Sequence, residues 1–258
     1  EAASGRGRFE RPGDAVQALA AALEAYQRTA PEFHPYTSKY DAYLRGRTAL
    51  SARERRGLAL FDDPRKGNCA GCHPDSLSPR GEPPAFTDFG FAAIGAPRNR
   101  ALAANRDPAH FDLGLCGPRR RDLARHAEFC GEFMTPTLRN VATRRSFFHN
   151  GVFHSLRQVM RFYVDRDLHP RRWYGGMGAC DDLPPAYRGN VDDEVPFRPP
   201  PGRRPRLDAR EIDDVIAFLD TLTDGYTAPA TPATPDPEVA SSTPASRRHQ
   251  EAGERVHD

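Results

Sequence analysis

No run of about eighteen apolar residues occurs in the chain, so no spanning helix is expected. The most apolar stretch, Ala15 to Tyr26, is interrupted by Gln17 and Glu24 and reads as an amphipathic helix. An excess of one charge sign is missing too. Lys and Arg number 37 against 35 Asp and Glu, for a formal net charge of +2, which excludes a general binder of nucleic acid or anionic membrane. The sequence shows no internal repeat, no convincing β-hairpin series and only one Trp, Trp173. It also lacks an initiator Met and the basic start, apolar stretch and cleavage site of a secretion signal. The expectation is therefore that it begins at a processing site or inside a longer protein. Five cysteines are present, and an odd count argues against a pure disulfide scaffold. At 258 residues and 38% apolar composition, a modest core makes such a scaffold unnecessary.

What is present is helical punctuation separated by long irregular stretches. Asp14 to Thr29 has helical periodicity, with Val16, Leu19, Leu23 and Tyr26 on one face. Pro31 to Tyr40 reads as an aromatic loop. Ser51 and Glu54 form a capping box that opens a second helix carrying Leu58, Leu60 and Phe61, ending near Asp62 and Pro64. Ser155 and Gln158 open a third, with Leu156, Val159, Met160 and Tyr163 on one face. Asp208 and Glu211 open a fourth, striped by Ile212, Val215, Ile216 and Leu219. Between these helices, 74–140 and 165–206 are rich in Gly, Pro, Arg and Asp. Irregular stretches of that length are unusual unless something other than secondary structure organises them. Beyond Tyr226 the Pro, Ala, Thr and Ser tail cannot bury enough surface to offset its ordering entropy. The expected class is mainly α, with long irregular loops and a disordered C-terminal tail. The expected divisions are 1–50 for an N-terminal helix and connecting segment, 51–226 for the main domain, and 227–258 for the tail.

One motif carries chemistry. Asn68-Cys69-Ala70-Gly71-Cys72-His73 contains C-x-x-C-H, the only one in the chain. Two thiols at that spacing can each add to a porphyrin vinyl group, and the adjacent His then lies under the iron as an axial ligand. Gly67 and Gly71 leave room for the backbone to approach the macrocycle. A redox dithiol expects a βαβ pattern that is absent here. A zinc-stabilised binding domain is the serious rival, with Cys116 and Cys130 joining the pair, although a second zinc pair is usually closely spaced. One covalent haem c is therefore the expectation, with its iron on His73. Met160 and Tyr163 share the inward face of the third helix, so either can supply a second axial ligand or simply fill the core.

Several blocks resemble the C-terminal half of the bacterial dihaem cytochrome c peroxidase and MauG family. They are Lys39-Tyr40-Asp41-Ala42-Tyr43-Leu44, Gly57-Leu58-Ala59-Leu60-Phe61 before the haem motif, and Phe86-Thr87-Asp88-Phe89 after it. Pro136-Thr137-Leu138-Arg139-Asn140, Phe147-Phe148-His149-Asn150-Gly151, Phe162-Tyr163 and Ala217-Phe218-Leu219-Asp220-Thr221-Leu222-Thr223-Asp224 follow in the family's order, so the likeness spans roughly 15–226.

The resemblance implies a class I cytochrome c-like haem domain working as the electron-transfer half of an oxidoreductase. In the peroxidase branch the helix after the His-x-Gly turn carries a distal Met; in the MauG branch a Tyr takes that place. Spacing from His149-Asn150-Gly151 matches Tyr163, with Met160 one turn too early. A phenolate donates charge and favours ferric iron, whereas a thioether favours reduced iron. The resemblance also implies that peroxide reacts at a second haem in an upstream domain, to which 1–50 would link. No catalytic residue is therefore assigned in this chain. A calcium ion held partly by the backbone carbonyls of Arg144 and Ser146 is implied as well. The implied partners are hydrogen peroxide and an electron-donor or electron-acceptor redox protein, with no nucleic acid and no membrane span, in the periplasm or another exported setting. A stand-alone monohaem electron carrier is the main alternative.

Smaller signals remain. Cys116 and Cys130 flank an Arg-rich loop and are candidates for a disulfide, which an oxidising compartment permits. Cys180 is left over. Arg139 is a candidate partner for a haem propionate, because planar guanidinium suits carboxylate, and equally for a structural salt bridge. His149 reads as a structural hydrogen-bonding residue, and Trp173 as packing beside Tyr174.

Overall fold

The computed structural model describes residues 12–33, 35–118, 120, 122–175 and 178–227. The expected disordered tail falls almost wholly outside them. Two compact units divide between Thr37 and Ser38, so by contacts Ser38 to Leu50 belong with the larger unit, ahead of the division after residue 50 read from sequence.

The smaller unit holds α1 (Pro12–Thr29), which has Asp14 in its first turn and Arg28 in its last, both favourable to the helix dipole. Its apolar face forms as expected but is not buried. Val16, Leu19, Leu23 and Tyr26 remain exposed, and Tyr26 makes an edge contact only with Phe33.

The larger unit contains α2 (Lys39–Leu44), α3 (Ala52–Asp62), α4 (Leu156–Asp165), α5 (Pro170–Trp173) and α6 (Ala209–Asp220). Full capping boxes open α3 at Ser51 and Glu54, and α6 at Asp208 and Glu211. The box expected at α4 is half formed. Ser155 accepts from the Gln158 amide, while the Gln158 side chain accepts from the amide of His154, one residue further out. A third box, Ser38 with Asp41, opens α2 inside and just beyond the segment read as loop. The only strands among the described residues are β1 (Phe91–Ala92) and β2 (Phe133–Met134), paired antiparallel.

The core is the crossing of α3 and α6. Gly57 makes it close: a Cβ there would sit 2.0 Å from the Asp214 carbonyl oxygen and 2.9 Å from the Phe218 Cβ. Phe61 and Phe218 meet edge-on at 5.1 Å, and Tyr40 of α2 meets Phe218 at 5.2 Å. Each aromatic so buried contributes roughly 1.5–3 kcal/mol of transfer free energy. Phe218 joins the stripe read from the sequence for α6, whereas Ile216 is only half-buried. The α4 face closes over this pair with Val159, Met160 and Phe162.

The irregular stretches are held by polar tethers and one disulfide. Cys116 and Cys130 are bonded, with Cα atoms 5.0 Å apart. Arg98 and Asp182 form a buried ion pair, and Asn150 donates to both the Pro97 carbonyl and Asp182. Among the described residues no helix is long and apolar enough to cross a membrane.

Candidate haem site

The C-x-x-C-H motif follows the end of α3 directly. Gly67 donates to the Leu60 carbonyl, and a Cβ at Gly67 would meet that oxygen at 2.4 Å. Gly67 is thus required by its own helix, not only by room for a macrocycle. Gly71 is different, because a Cβ there would make only ordinary contacts with Asn68. Asn68 adopts a left-handed conformation that turns the chain into the motif, and its side-chain Nδ2 donates to the Val195 carbonyl.

His73 is oriented through its backbone neighbours. Its Nδ1 lies 2.8 Å from the Phe86 carbonyl oxygen, which can only accept, so Nδ1 carries the proton and Nε2 keeps a free lone pair. Burial also pushes the imidazole below its usual pKa, against smaller opposing effects from the Phe86 carbonyl and Asp88, and so favours the neutral ring. Phe86 supplies that carbonyl from a positive φ, in a segment tied to the motif by the Asp88 amide donating to the Cys72 carbonyl. Thr87 fastens the same segment to β2 by donating to the Thr135 carbonyl. The Phe86-Thr87-Asp88-Phe89 block thereby gains a role that a carbonyl, having no side-chain signature, did not announce.

Cys69, Cys72 and His73 border a cavity of about 360 Å³. Met160, Tyr163, Leu156 and Val159 of α4 border it too, together with Phe61, Val215 and Leu219 from α3 and α6. Its remaining wall is loop: Pro136 to Leu138, Arg144, Phe147, Asp192 and Val195 to Phe197 among others. Both Met160 and Tyr163 therefore face the same space as the motif. Burial pushes the Tyr163 phenol above its usual pKa, Cys69 and Cys72 add to the rise, and Arg166 opposes it. Its hydroxyl makes no hydrogen bond among the described residues. Burial likewise lifts the Cys69 thiol to about 12, and burial with Asp88, Asp192 and Glu194 raises that of Cys72.

The residues fit a c-type haem. Two unpaired thiols, a neutral His with Nε2 free and a phenol share one largely apolar cavity. Zinc fits poorly, since Cys116 and Cys130 hold each other and the described residues gather no group of three or more metal-ligating side chains. Arg139 lies outside the cavity wall. Its guanidinium grips Asp41 bidentately at 2.9 and 3.0 Å and donates to the Pro84 carbonyl. The carboxylate its shape suits is the protein's own. Arg144 and Ser146 do line the cavity. His149 borders it as well, stacked on Phe133 at 3.6 Å with Nε2 3.5 Å from Asp182. Trp173 packs edge-on against Phe153 and Phe162.

No family model matches the chain. It is 34% identical over 237 residues to the methylamine utilization protein MauG of Paracoccus denitrificans (strain Pd 1222), covering 87% of this chain and 56% of MauG. It is 28% identical to the cytochrome-c peroxidase IdrP1 of Pseudomonas sp. (strain SCT), covering 83% of this chain and 50% of IdrP1. Among solved structures, the dihaem peroxidase BthA of Burkholderia thailandensis E264 matches with a TM-score of 0.74 and 44% identity, covering 89% of this chain and 59% of BthA. A tyrosine-to-methionine variant of BthA matches with a TM-score of 0.75 and 46% identity, over 84% of this chain and 54% of the variant.

These likenesses, with the helical fold around the cavity, define a domain of the c-type haem proteins. The chain belongs to the dihaem cytochrome c peroxidase/MauG family, and it spans about half the length of the curated relatives it matches.

Proposed function

We propose that this chain is the electron-transfer haem domain of a MauG-like dihaem peroxidase. One haem c is joined to Cys69 and Cys72, with His73 as proximal and Tyr163 as distal ligand. The observation that carries the reading is the shared cavity. A His with its Nδ1 proton committed to the Phe86 carbonyl borders the same space as two thiols outside the disulfide and a phenol without a hydrogen bond among the described residues. A haem held there supplies one-electron redox chemistry. The chain's own residues orient and tune it. The Phe86 carbonyl fixes the His73 ring and raises the basicity of Nε2. Largely apolar walls surround the phenol. The influence of the thiols on Tyr163 vanishes once the sulfurs are thioethers, and the iron's charge acts to lower its pKa.

In this reading peroxide reacts at a second haem in an upstream domain, and electrons pass to or from a redox protein through the domain described here. The setting is the periplasm. A calcium ion bound partly by the Arg144 and Ser146 carbonyls belongs to the same reading, with its other ligands from outside this chain. A stand-alone monohaem carrier is favoured by the single C-x-x-C-H, and peroxide turnover by the full-length protein separates the two.

The test is expression in a host competent for cytochrome c maturation. A mass gain of one haem, lost in a Cys69→Ala, Cys72→Ala double variant, is expected; a colourless product overturns the reading. Tyr163→Phe is then expected to convert a low-spin ferric spectrum to high-spin. An unchanged spectrum, or a thioether-to-iron charge-transfer band in the parent protein, reassigns the distal position to Met160.

A further inference from the structure

The oxygen of a Tyr ligand lies on the axis of the bond to its ring, so rotation about Cα–Cβ places it, and no hydrogen bond among the described residues fixes that rotation for Tyr163. Its ring is held by aromatic contact instead. Phe197 stacks on it with centroids 4.9 Å apart and planes 24° from parallel, while Phe148 and Phe162 meet it edge-on at 5.9 and 6.4 Å. Phe197 is fully buried and belongs to the irregular wall of the cavity. It is pinned in turn by Arg166, whose guanidinium carbon lies 3.8 Å from the Phe197 centroid.

Arg166 cannot drift. It is 2% exposed and follows Tyr163 by three residues, at the C-terminal cap of α4. Its Nε and Nη2 donate to Asp167 at 2.7 and 3.1 Å, Nη1 donates to the Ile94 carbonyl at 2.8 Å, and Nη2 donates also to the Asp192 carbonyl. Ile94 and Asp192 are themselves cavity-wall residues. A single buried guanidinium therefore joins the helix that carries Tyr163 to two loop segments and to the ring on which Tyr163 rests. Planar guanidinium suits this double duty because it stacks through its face while donating through its edge.

We propose that Phe197 and Arg166 are positioning residues for the distal ligand, holding the Tyr163 ring so that its phenol oxygen faces the cavity. The inference rests on the assignment of Tyr163 as iron ligand. It adds that ligation depends on a residue from the Pro-rich stretch and on a cation set back from the cavity wall. Loss of one stacked aromatic partner is expected to lower the ratio of ligated to unligated Tyr163 by about three- to tenfold.

The experiment uses the matured holoprotein and reads the ferric spin state by electron paramagnetic resonance, with thermal unfolding in parallel. Phe197→Leu is expected to raise the high-spin fraction, and Phe197→Tyr to restore the parent spectrum. Arg166→Gln is expected to act in the same direction as Phe197→Leu, and Arg166→Lys, which keeps the charge but loses the stacked plane, reads the contact with Phe197 should Phe197→Leu fail to retain haem. A merely structural role predicts lower unfolding temperatures with an unchanged spin state in the Phe197→Leu and Arg166 variants, and that result overturns the proposal. Tyr163→Phe measured alongside separates the two levels. If it leaves the spectrum unchanged, the ligand assignment fails; if it alone changes the spectrum, only the positioning role fails.

Discussion

The helical and loop surroundings of the candidate haem cavity are built by different physics. The helical side, α3, α4 and α6, is apolar and close-packed, with Phe61, Phe162, Val215 and Phe218 at 1% exposure or less. The loop side, in residues behind the cavity wall, buries polar and charged groups that find partners: Arg98 with Asp182, Arg139 with Asp41, Asn150 with Asp182, Arg166 with the Ile94 and Asp192 carbonyls. The first side gains stability from burial, which is non-directional and tolerates repacking. The second gains definition from directional bonds whose loss strands a buried group. It follows that the helical side should fail by steric conflict and the loop side by unpaired charge.

The largest expected effect is at Gly57. Any side chain there meets α6 backbone at 2.0 Å, which only a separation of the two helices relieves. Gly57→Val is expected to exceed the usual overpacking cost of about 1–3 kcal/mol and to prevent accumulation of folded holoprotein. Recovery of soluble protein with parental haem content and unfolding midpoint would show that the crossing is softer than it looks.

Next is Asp41→Asn on the loop side. Arg139 would keep its Pro84 contact but lose its bidentate anion, and removing one partner of a buried pair costs on the order of 3 kcal/mol. Denaturant unfolding of the holoprotein measures it. A change below about 1 kcal/mol would place this pair with ordinary surface salt bridges. Third comes the disulfide. Cys116 and Cys130 are separated by 14 residues, so Cys116→Ser with Cys130→Ser is expected to cost about 3 kcal/mol in the chain-entropy account. Because the bond staples a loop and lies outside the haem wall, the haem spectrum should not move.

How far each side can be read from the sequence follows from the same contrast. Capping boxes at Ser51 and Asp208 are local, three residues wide, and the structure keeps them. The Ser38 box escaped notice because it opens a helix of only six residues inside an aromatic, Pro-containing segment. The grouping of residues at the cavity was legible where thiols and imidazole are adjacent in sequence, and where α4 sets Met160 and Tyr163 on one face. The loop side was not legible, because its bonds join residues far apart in sequence: 98 positions for Arg139 and Asp41, 84 for Arg98 and Asp182. Arg139 illustrates the limit. Its chemistry, a guanidinium seeking a carboxylate, was read correctly as a type, yet only the tertiary path says which carboxylate it meets. Phe197 and the Phe86 carbonyl carry no local signal, since one is an isolated aromatic among prolines and the other is backbone.

The smallest effect is graded by pH, and it tests whether the loop side is electrostatic in fact. Burial alone would raise the Asp41 carboxyl, but hydrogen bonds from Arg139 and Ser38, with the Arg139 charge, outweigh it and hold the group below its ordinary 3.8. A depressed folded pKa means that the unfolded chain takes up the proton first. Asp41 therefore contributes its full stabilisation above about pH 4 and surrenders it as pH falls through the folded value. Comparing the pH dependence of stability for the parent and Asp41→Asn between roughly pH 5 and 3 isolates this contribution, because other carboxylates titrate alike in both. The parent should lose more stability than the variant across that window, so that the two curves converge on acidification. Parallel curves would mean that Arg139 holds α2 by shape rather than by charge, and the loop side would then obey the same packing rules as the helices.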